Sequence, residues 1–72
     1  MKLSGLARTA FFSVRWLVYR NGSTVRAEEI SRAGSLETNT VRAVLQRLRR
    51  AGIVSSFRGK GYKLAKNPSN IS

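Results

Sequence analysis

The segment VRAVLQRLRRAGIVSSFRGKGYKLA, residues 41–65, carries the strongest structural signal in this chain. The segment is predicted to begin within a helix that starts at Glu37 or Thr38, runs to about Arg50 and stops at Gly52. One face of this helix is polar and basic, which suits an anionic partner. The opposite face is predicted to face a core, because its apolar residues follow the spacing i, i+3, i+4, i+7, namely Val41, Val44, Leu45 and Leu48.

A basic hairpin is predicted to follow this helix. Residues 53–57 and 62–65 are strand-like, and the segment Arg58-Gly59-Lys60-Gly61 joins them as a turn. Together with Lys66, the quoted segment contains eight of the fourteen basic residues of the chain and no acid. We therefore expect a helix and a hairpin that share a positively charged surface.

The N-terminal part of the chain predicts a long first helix. Ser4 can cap this helix, which runs to about Arg20, and the Asn21-Gly22 pair ends it in a turn. Its predicted core-facing stripe has the same helical spacing and consists of Leu6, Ala7, Ala10, Phe11, Val14, Leu17 and Val18.

Shorter elements are predicted between these two helices. Residues 24–26 read as one short strand, and residues 27–33 read as a brief helix with Ile30 facing inward. Gly34 is predicted to stop this helix. A tight turn follows, in which Leu36 is predicted to pack against the core.

The first helix carries a second apolar face, formed by Phe12, Trp16 and Tyr19, on the side opposite its predicted core stripe. A helix that is apolar on two faces is buried on two faces. We therefore predict a homodimer that forms through these three aromatic residues. The alternative is that they pack against Leu3 or Ile71 of the same chain.

Composition restricts the class of partner. The chain has 72 residues, with fourteen Lys and Arg against three acids, and its formal net charge is +11. This length predicts one domain, residues 1–66, followed by a polar tail, residues 67–72. A small domain with such a charge most often binds nucleic acid. The alternative, a merely solvated charged surface, is disfavoured because the charge is so one-sided.

Composition also excludes several classes of protein. The chain has no cysteine and no histidine, so we expect no disulfide, zinc finger, iron–sulfur cluster or other cofactor, and no enzyme activity. No run reaches the roughly 20 apolar residues of a membrane span, and Arg8 and Arg15 interrupt any signal-peptide core. We expect a cytoplasmic, nucleoid-associated protein.

The predicted order of elements is helix, short helix, tight turn, helix and basic hairpin. This order is typical of a winged helix-turn-helix, a mainly α fold with a small β-hairpin. Its third helix is slim enough for the major groove of DNA. The hairpin can reach phosphates or the minor groove, where arginine is favoured.

A set of short motifs spans nearly the whole chain: Lys2-Leu3-Ser4, Arg8, Ile30, Leu48-Arg49, Ala51-Gly52-Ile53-Val54, Arg58-Gly59 and Tyr62-Lys63-Leu64-Ala65. In these motifs and their order, the sequence resembles the DNA-binding half of the bacterial regulators typified by the iron–sulfur cluster regulator and the nitric-oxide-sensitive repressor. The resemblance implies that Arg58 of the hairpin enters the minor groove. It also implies that the start of the third helix contacts bases through Asn39, Thr40 and Arg42.

Three departures from that family change what is expected here. Thr40 and Arg42 stand where relatives usually have Tyr and Glu, so a different base sequence is expected to be read. The hairpin is about two residues shorter than in relatives. The cluster-binding cysteines and long dimerisation helix of the family would lie beyond Ser72, so no redox sensing is inherited.

The residue types at these positions indicate how DNA would be contacted. Arg42 can pair with guanine and Asn39 with adenine, although Asn39 is equally suited to cap its helix. Phosphate contacts position a protein rather than specify a sequence, and Lys2 and Arg8 suit that role. The full predicted DNA-binding set is Lys2, Arg8, Asn39, Thr40, Arg42, Gln46, Arg47, Arg58, Gly59 and Lys60.

The predicted function is a sequence-specific regulator of transcription that binds double-stranded DNA and represses by promoter occlusion. No small-molecule ligand is expected. The main alternative is a sequence-tolerant nucleoid protein or an accessory protein of recombination or excision. A membrane-active peptide is less favoured, because the apolar stripe of the first helix matches those of a folded core.

Overall fold

The computed structural model describes residues 5–65. Its elements are α1 (Gly5–Arg20), α2 (Ala27–Gly34), α3 (Thr38–Arg50), β1 (Val54–Phe57) and β2 (Gly61–Leu64). Three helices and an antiparallel hairpin in this order confirm the predicted winged helix-turn-helix. Within the described range, no helix is long and apolar enough to cross a membrane. Lys2, Leu3, Ser4 and Ile71, as well as the predicted tail, lie outside the described residues.

The core draws on every part of the described chain. The predicted inner face of α3 is confirmed, because Val41, Val44 and Leu45 are buried and Leu48 packs against the core as a half-buried residue. The predicted end of α3 is also confirmed. Gly52 has a φ of 81°, and the next residue, Ile53, donates its backbone N–H to the Leu48 carbonyl.

The predicted core face of α1 is confirmed for Leu17, which is buried, and wrong for its most exposed members. Phe11 and Val18 are 66% and 57% exposed, and Leu6 also reaches solvent. The face that enters the protein contains Thr9, Ser13 and Leu17, which are all buried. Apolar residues occupy most of the circumference of α1, so helical spacing is compatible with several faces. The buried side is the one where the small residues Thr9 and Ser13 allow the neighbouring helices to pack closely.

Gly34 serves packing rather than chain reversal, which corrects its predicted role. It is the last residue of α2, and Ser35 instead adopts the left-handed conformation, with a φ of 53°. A Cβ atom at Gly34 would lie 2.7 Å from Cε2 of the Phe12 ring. The glycine therefore lets α1 place an aromatic ring directly against the end of α2.

Hydroxyl groups close the turn between α2 and α3. Ser31 donates a hydrogen bond to the carbonyl of Leu36 at 2.6 Å, and its hydroxyl lies 2.9 Å from that of Thr38. Leu36 packs against the core cluster as predicted. These contacts set the position of α3 relative to α2, which determines how α3 is presented at the surface.

The hairpin, called the wing below, forms a backbone bridge with the segment between α1 and α2. Its strands pair from Val54 with Leu64 to Phe57 with Gly61, so the turn is one residue shorter than predicted. The predicted strand at residues 24–26 is reduced to a single bridge, in which Val25 and Tyr62 exchange backbone hydrogen bonds. Gly61 must lack a side chain, because its Cβ would lie 2.4 Å from the Val25 carbonyl oxygen.

Candidate nucleic-acid interface

A groove of about 400 Å³ lies between the outer face of α3, the start of α2 and the wing. This groove is called the α3–wing groove below. It combines three guanidinium groups with one carboxylate, one carboxamide and one phenol. The side chains that carry these groups are Arg26, Glu28, Arg42, Gln46, Arg58 and Tyr62.

Gln46 links α3 to the wing across this groove. Its Nε2 donates a hydrogen bond to the hydroxyl of Tyr62 at 3.2 Å. The ring of Tyr62 is half-buried against the core. α3 and the wing are therefore connected by side chains as well as by the chain itself.

Arg42 is held by a carboxylate of α2. Its Nη2 lies 2.6 Å from Oε2 of Glu28, and both side chains remain about half exposed. The pKa of the Glu28 carboxyl lies below its ordinary value, first because its own backbone N–H donates to the carboxylate and then because Arg42 does. Glu28 is therefore ionised at neutral pH and forms a charged pair with Arg42.

Arg26 ties the wing to the helix-turn-helix. It is the N-cap residue of α2, with an extended backbone, and its Nη2 donates a hydrogen bond to the Gly59 carbonyl at 2.7 Å. The turn of the wing is thus attached to the start of α2. Arg58 follows β1 and is exposed beside the same groove.

The structure brings together only part of the predicted DNA-binding set. Four predicted residues line the α3–wing groove, namely Arg42, Gln46, Arg58 and Gly59. The other described members lie outside it. Asn39 and Arg47 are exposed on α3, Lys60 is exposed in the wing turn, Arg8 is exposed on α1, and Thr40 donates a weak hydrogen bond to Glu37 at 3.3 Å.

Sequence reasoning missed two charged residues of the groove, Arg26 and Glu28. Each acts through a partner that is distant in sequence, 33 residues for Arg26 and 14 residues for Glu28. Neither residue belongs to the predicted third helix or to the wing. The one available signal was that Glu28 is an acid in a strongly basic chain.

The three aromatic residues of the predicted dimer interface do not share one environment. Tyr19 is 74% exposed, whereas Phe12 and Trp16 pack against the core cluster as half-buried residues. The prediction that all three face away from the core is therefore wrong for Phe12 and Trp16. Trp16 is stacked on Phe12 and donates its indole N–H to Glu29 at 2.9 Å.

A shallow depression remains on the outer side of these rings. It is lined by Phe11, Phe12, Arg15, Trp16 and Tyr19. The guanidinium of Arg15 lies 5.7 Å from the centre of the Phe11 ring. The apolar surface that α1 leaves in solvent is therefore centred on Phe11 and Tyr19, with the edges of the other two rings beside them.

Comparisons with known proteins support a regulatory role. The model of the Rrf2 family, described as an iron-dependent transcriptional regulator, matches residues 6–72. The solved structure of CymR (YrzC), the global cysteine regulator of B. subtilis, matches with a TM-score of 0.85 and 27% sequence identity. The match covers 97% of this chain and 56% of CymR, so this chain spans about half the length of that protein. A search of curated protein sequences found no match.

The residues present do not fit the iron site that this family description implies. Iron and iron–sulfur clusters in proteins are held mainly by cysteine and histidine, and the 72 residues contain neither. Within residues 5–65, no group of three or more acids is placed to hold a metal. These residues therefore offer no iron site of the kind that cysteine and histidine form.

Proposed function

The chain belongs to the Rrf2 family of transcriptional regulators, and we propose on that premise that it binds specific sites in double-stranded DNA and represses transcription by promoter occlusion. The family assignment also confirms the prediction that the chain is a regulator and not an enzyme. Repression is the simplest mechanism for a small DNA-binding unit, since a bound protein excludes polymerase without any further domain.

The observation that carries this proposal is the α3–wing groove. A recognition helix and a wing flank it, and three arginines line it. Such a pair can contact one duplex in two ways at once, because α3 fits the major groove while the wing reaches the neighbouring minor groove or backbone. A net charge of +11 supplies the sequence-independent attraction.

The proposed roles of the residues follow from their positions. Arg42 and Gln46, in the groove, are proposed to contact base edges together with Asn39 and Thr40 at the start of α3. Arg58 is proposed to enter the minor groove, where Gly59 lets the backbone approach closely. The proposed phosphate contacts are Lys2, Arg8, Arg47 and Lys60.

We further propose that the protein acts as a homodimer with the α1 helices in contact. The supporting observation is the exposure of Phe11 and Tyr19 beside the edges of Phe12 and Trp16. Aromatic residues are enriched at the centres of protein interfaces. A two-fold dimer would present two α3 helices to half-sites about 34 Å apart.

The finer family relationship is also a proposal. The short motifs around Arg58-Gly59 and residues 62–65 support a DNA-binding half like that of the iron–sulfur cluster regulator and the nitric-oxide-sensitive repressor. We propose residues 1–66 as the folded unit, acting in the cytoplasm at the nucleoid. The base sequence is expected to differ from that of relatives because of Thr40 and Arg42.

A selection from random duplex DNA tests the main proposal. Fragments bound by the protein would be enriched, sequenced and compared with a scrambled duplex of the same composition. We expect a recurrent, two-fold symmetric site that binds at least about a thousandfold more tightly than the scrambled duplex, as specific DNA-binding proteins do. Enrichment without any shared sequence would instead support a sequence-tolerant nucleoid or accessory protein.

A further inference from the structure

Glu28 is an acid inside a surface that is otherwise suited to anions. Among residues 5–65, it is the only carboxylate that lines the α3–wing groove, where three arginines face it. A negative charge at this position repels DNA phosphates and lowers the overall affinity. Glu28 therefore has a role other than attracting the duplex.

The geometry shows what Glu28 does to Arg42. Its carboxylate, on the first turn of α2, reaches across to α3 and accepts a hydrogen bond from Nη2 of Arg42 at 2.6 Å. A guanidinium carries five N–H donors in a rigid plane. The contact occupies part of that plane, so the remaining N–H groups are free to face a base in the groove.

We propose that Glu28 is a positioning residue that determines the DNA specificity of this protein through Arg42. The carboxylate fixes the guanidinium plane of Arg42 toward base edges and keeps phosphates away from it. This inference rests on the proposed DNA-binding function and names the residue pair that discriminates between sequences.

The physical basis has two parts. A free arginine side chain on a surface has many conformations and contacts whichever phosphate is nearest, and such contacts carry no sequence information. An arginine that is already oriented loses less conformational entropy when it pairs with a guanine. The carboxylate also repels any phosphate that a wrong register of the protein on the duplex would bring to this position. This repulsion adds to specificity.

Glu29 provides a matched control, because it has the same charge and is the next residue in the chain. Its carboxylate points elsewhere, and it accepts hydrogen bonds from the Trp16 indole and the Arg20 guanidinium, each at 2.9 Å. The variants Glu28→Gln and Glu29→Gln therefore change the net charge of the protein equally. Only Glu28→Gln removes a charge that contacts Arg42.

The first test measures DNA binding by the wild type, Glu28→Gln, Glu29→Gln, Arg42→Ala and the double variant Glu28→Gln/Arg42→Ala. Each protein is titrated against the selected site, its single base-pair variants and an unrelated duplex. Glu28→Gln is expected to bind the unrelated duplex about three to ten times more tightly. It is also expected to lose most of an about tenfold preference at one base pair.

The base pair at which each variant loses its preference shows whether Glu28 acts through Arg42. Arg42→Ala is expected to lose the preference at the same base pair. The double variant is expected to lose no more discrimination than Arg42→Ala alone. Glu29→Gln is expected to keep the preference. A Glu28→Gln protein with the wild-type preference at every base pair would overturn the inference. Loss at a second base pair in the double variant would also overturn it, because Glu28 would then contact DNA directly.

A second measurement does not depend on DNA at all. NMR relaxation of the Arg42 Nε–H in the free protein is expected to show a restrained side chain in the wild type and in Glu29→Gln, and a mobile one in Glu28→Gln. Equal mobility in all three would overturn the inference. A wild type with ordered Arg42 but no preference among duplexes would contradict the proposed function and leave the positioning contact itself supported.

Discussion

The guanidinium of Arg26 donates a hydrogen bond to the carbonyl of Gly59 across 33 residues of sequence, at 2.7 Å. This contact joins the N-cap of α2 to the turn of the wing. The neighbouring residue Val25 is bridged to Tyr62 of β2. Two successive residues before α2 therefore hold the wing, one through its backbone and the other through its side chain.

Replacement of Arg26 by Ala is expected to weaken binding to a selected DNA site by about 1–2 kcal/mol, because the wing turn loses its attachment and the groove loses a charge. The melting temperature is expected to change little, since this hydrogen bond is exposed. Fluorescence anisotropy and thermal melting measure the two effects. Arg32→Ala, on α2 but outside the groove, is the matched control; equal loss of affinity in both variants would contradict the role of Arg26.

Replacement of Gly61 by Ala is expected to destabilise the fold by at least about 2 kcal/mol. Its φ of 113° disfavours any side chain, and the new Cβ would meet the Val25 carbonyl oxygen at 2.4 Å. Gly59→Ala is the control, because it has a φ of 75° but open space around the Cβ. Urea unfolding is expected to show the larger loss at Gly61, and equal losses would mean that the close approach costs nothing.

Replacement of Leu45 by Ala is expected to lower the free energy of unfolding by about 2–5 kcal/mol, because this fully buried side chain of α3 would leave a cavity. Phe11→Ala removes a larger side chain from the exposed face of α1 and is expected to cost far less. Chemical denaturation compares the two. A larger loss for Phe11 would show that Phe11, and not the side of α1 with Leu17, faces the core.

Replacement of Ser13 by Ala is expected to leave stability unchanged or to raise it by about 1 kcal/mol. The Ser13 side chain is fully buried, and its hydroxyl has no hydrogen-bond partner among residues 5–65. A buried hydroxyl without a partner has lost its hydration without compensation. A clear fall in the midpoint of urea unfolding would reveal that the hydroxyl has a partner in solution.

Replacement of Arg58 by Ala is expected to weaken DNA binding by about 1–3 kcal/mol and to reduce the salt dependence of binding by about one counterion. The wild-type affinity is expected to fall steeply as salt rises, because several phosphates are neutralised. Titrations at a series of salt concentrations provide both values. Arg20→Ala removes the same charge from the far end of α1, and an equal effect there would show that Arg58 contributes only general attraction.

The amino-acid sequence was sufficient to predict α3 and the wing, the two elements that flank the α3–wing groove. The inner face of α3, its end at Gly52 and the wing around Gly59 all follow from local rules of spacing and turn chemistry. For the same reason, the groove residues Arg42 and Arg58 could be predicted. Each lies on an element whose orientation is set by a single clear apolar face or a short turn.

Other features depend on contacts between segments that are distant in the chain. The spacing of apolar residues on α1 is compatible with several buried faces. The structure buries the side with Thr9, Ser13 and Leu17, where the small side chains of Thr9 and Ser13 permit close packing. Gly34 reads as a helix stop but serves to admit the ring of Phe12.

The remaining charged residues of the groove, Arg26 and Glu28, were not predicted. Each lies near the start of α2, and each reaches a partner on another element, Gly59 on the wing and Arg42 on α3. Local rules describe the backbone of one element and the direction of its side chains. Which charged groups meet between elements depends on how the elements pack, and that packing is a property of the whole folded chain.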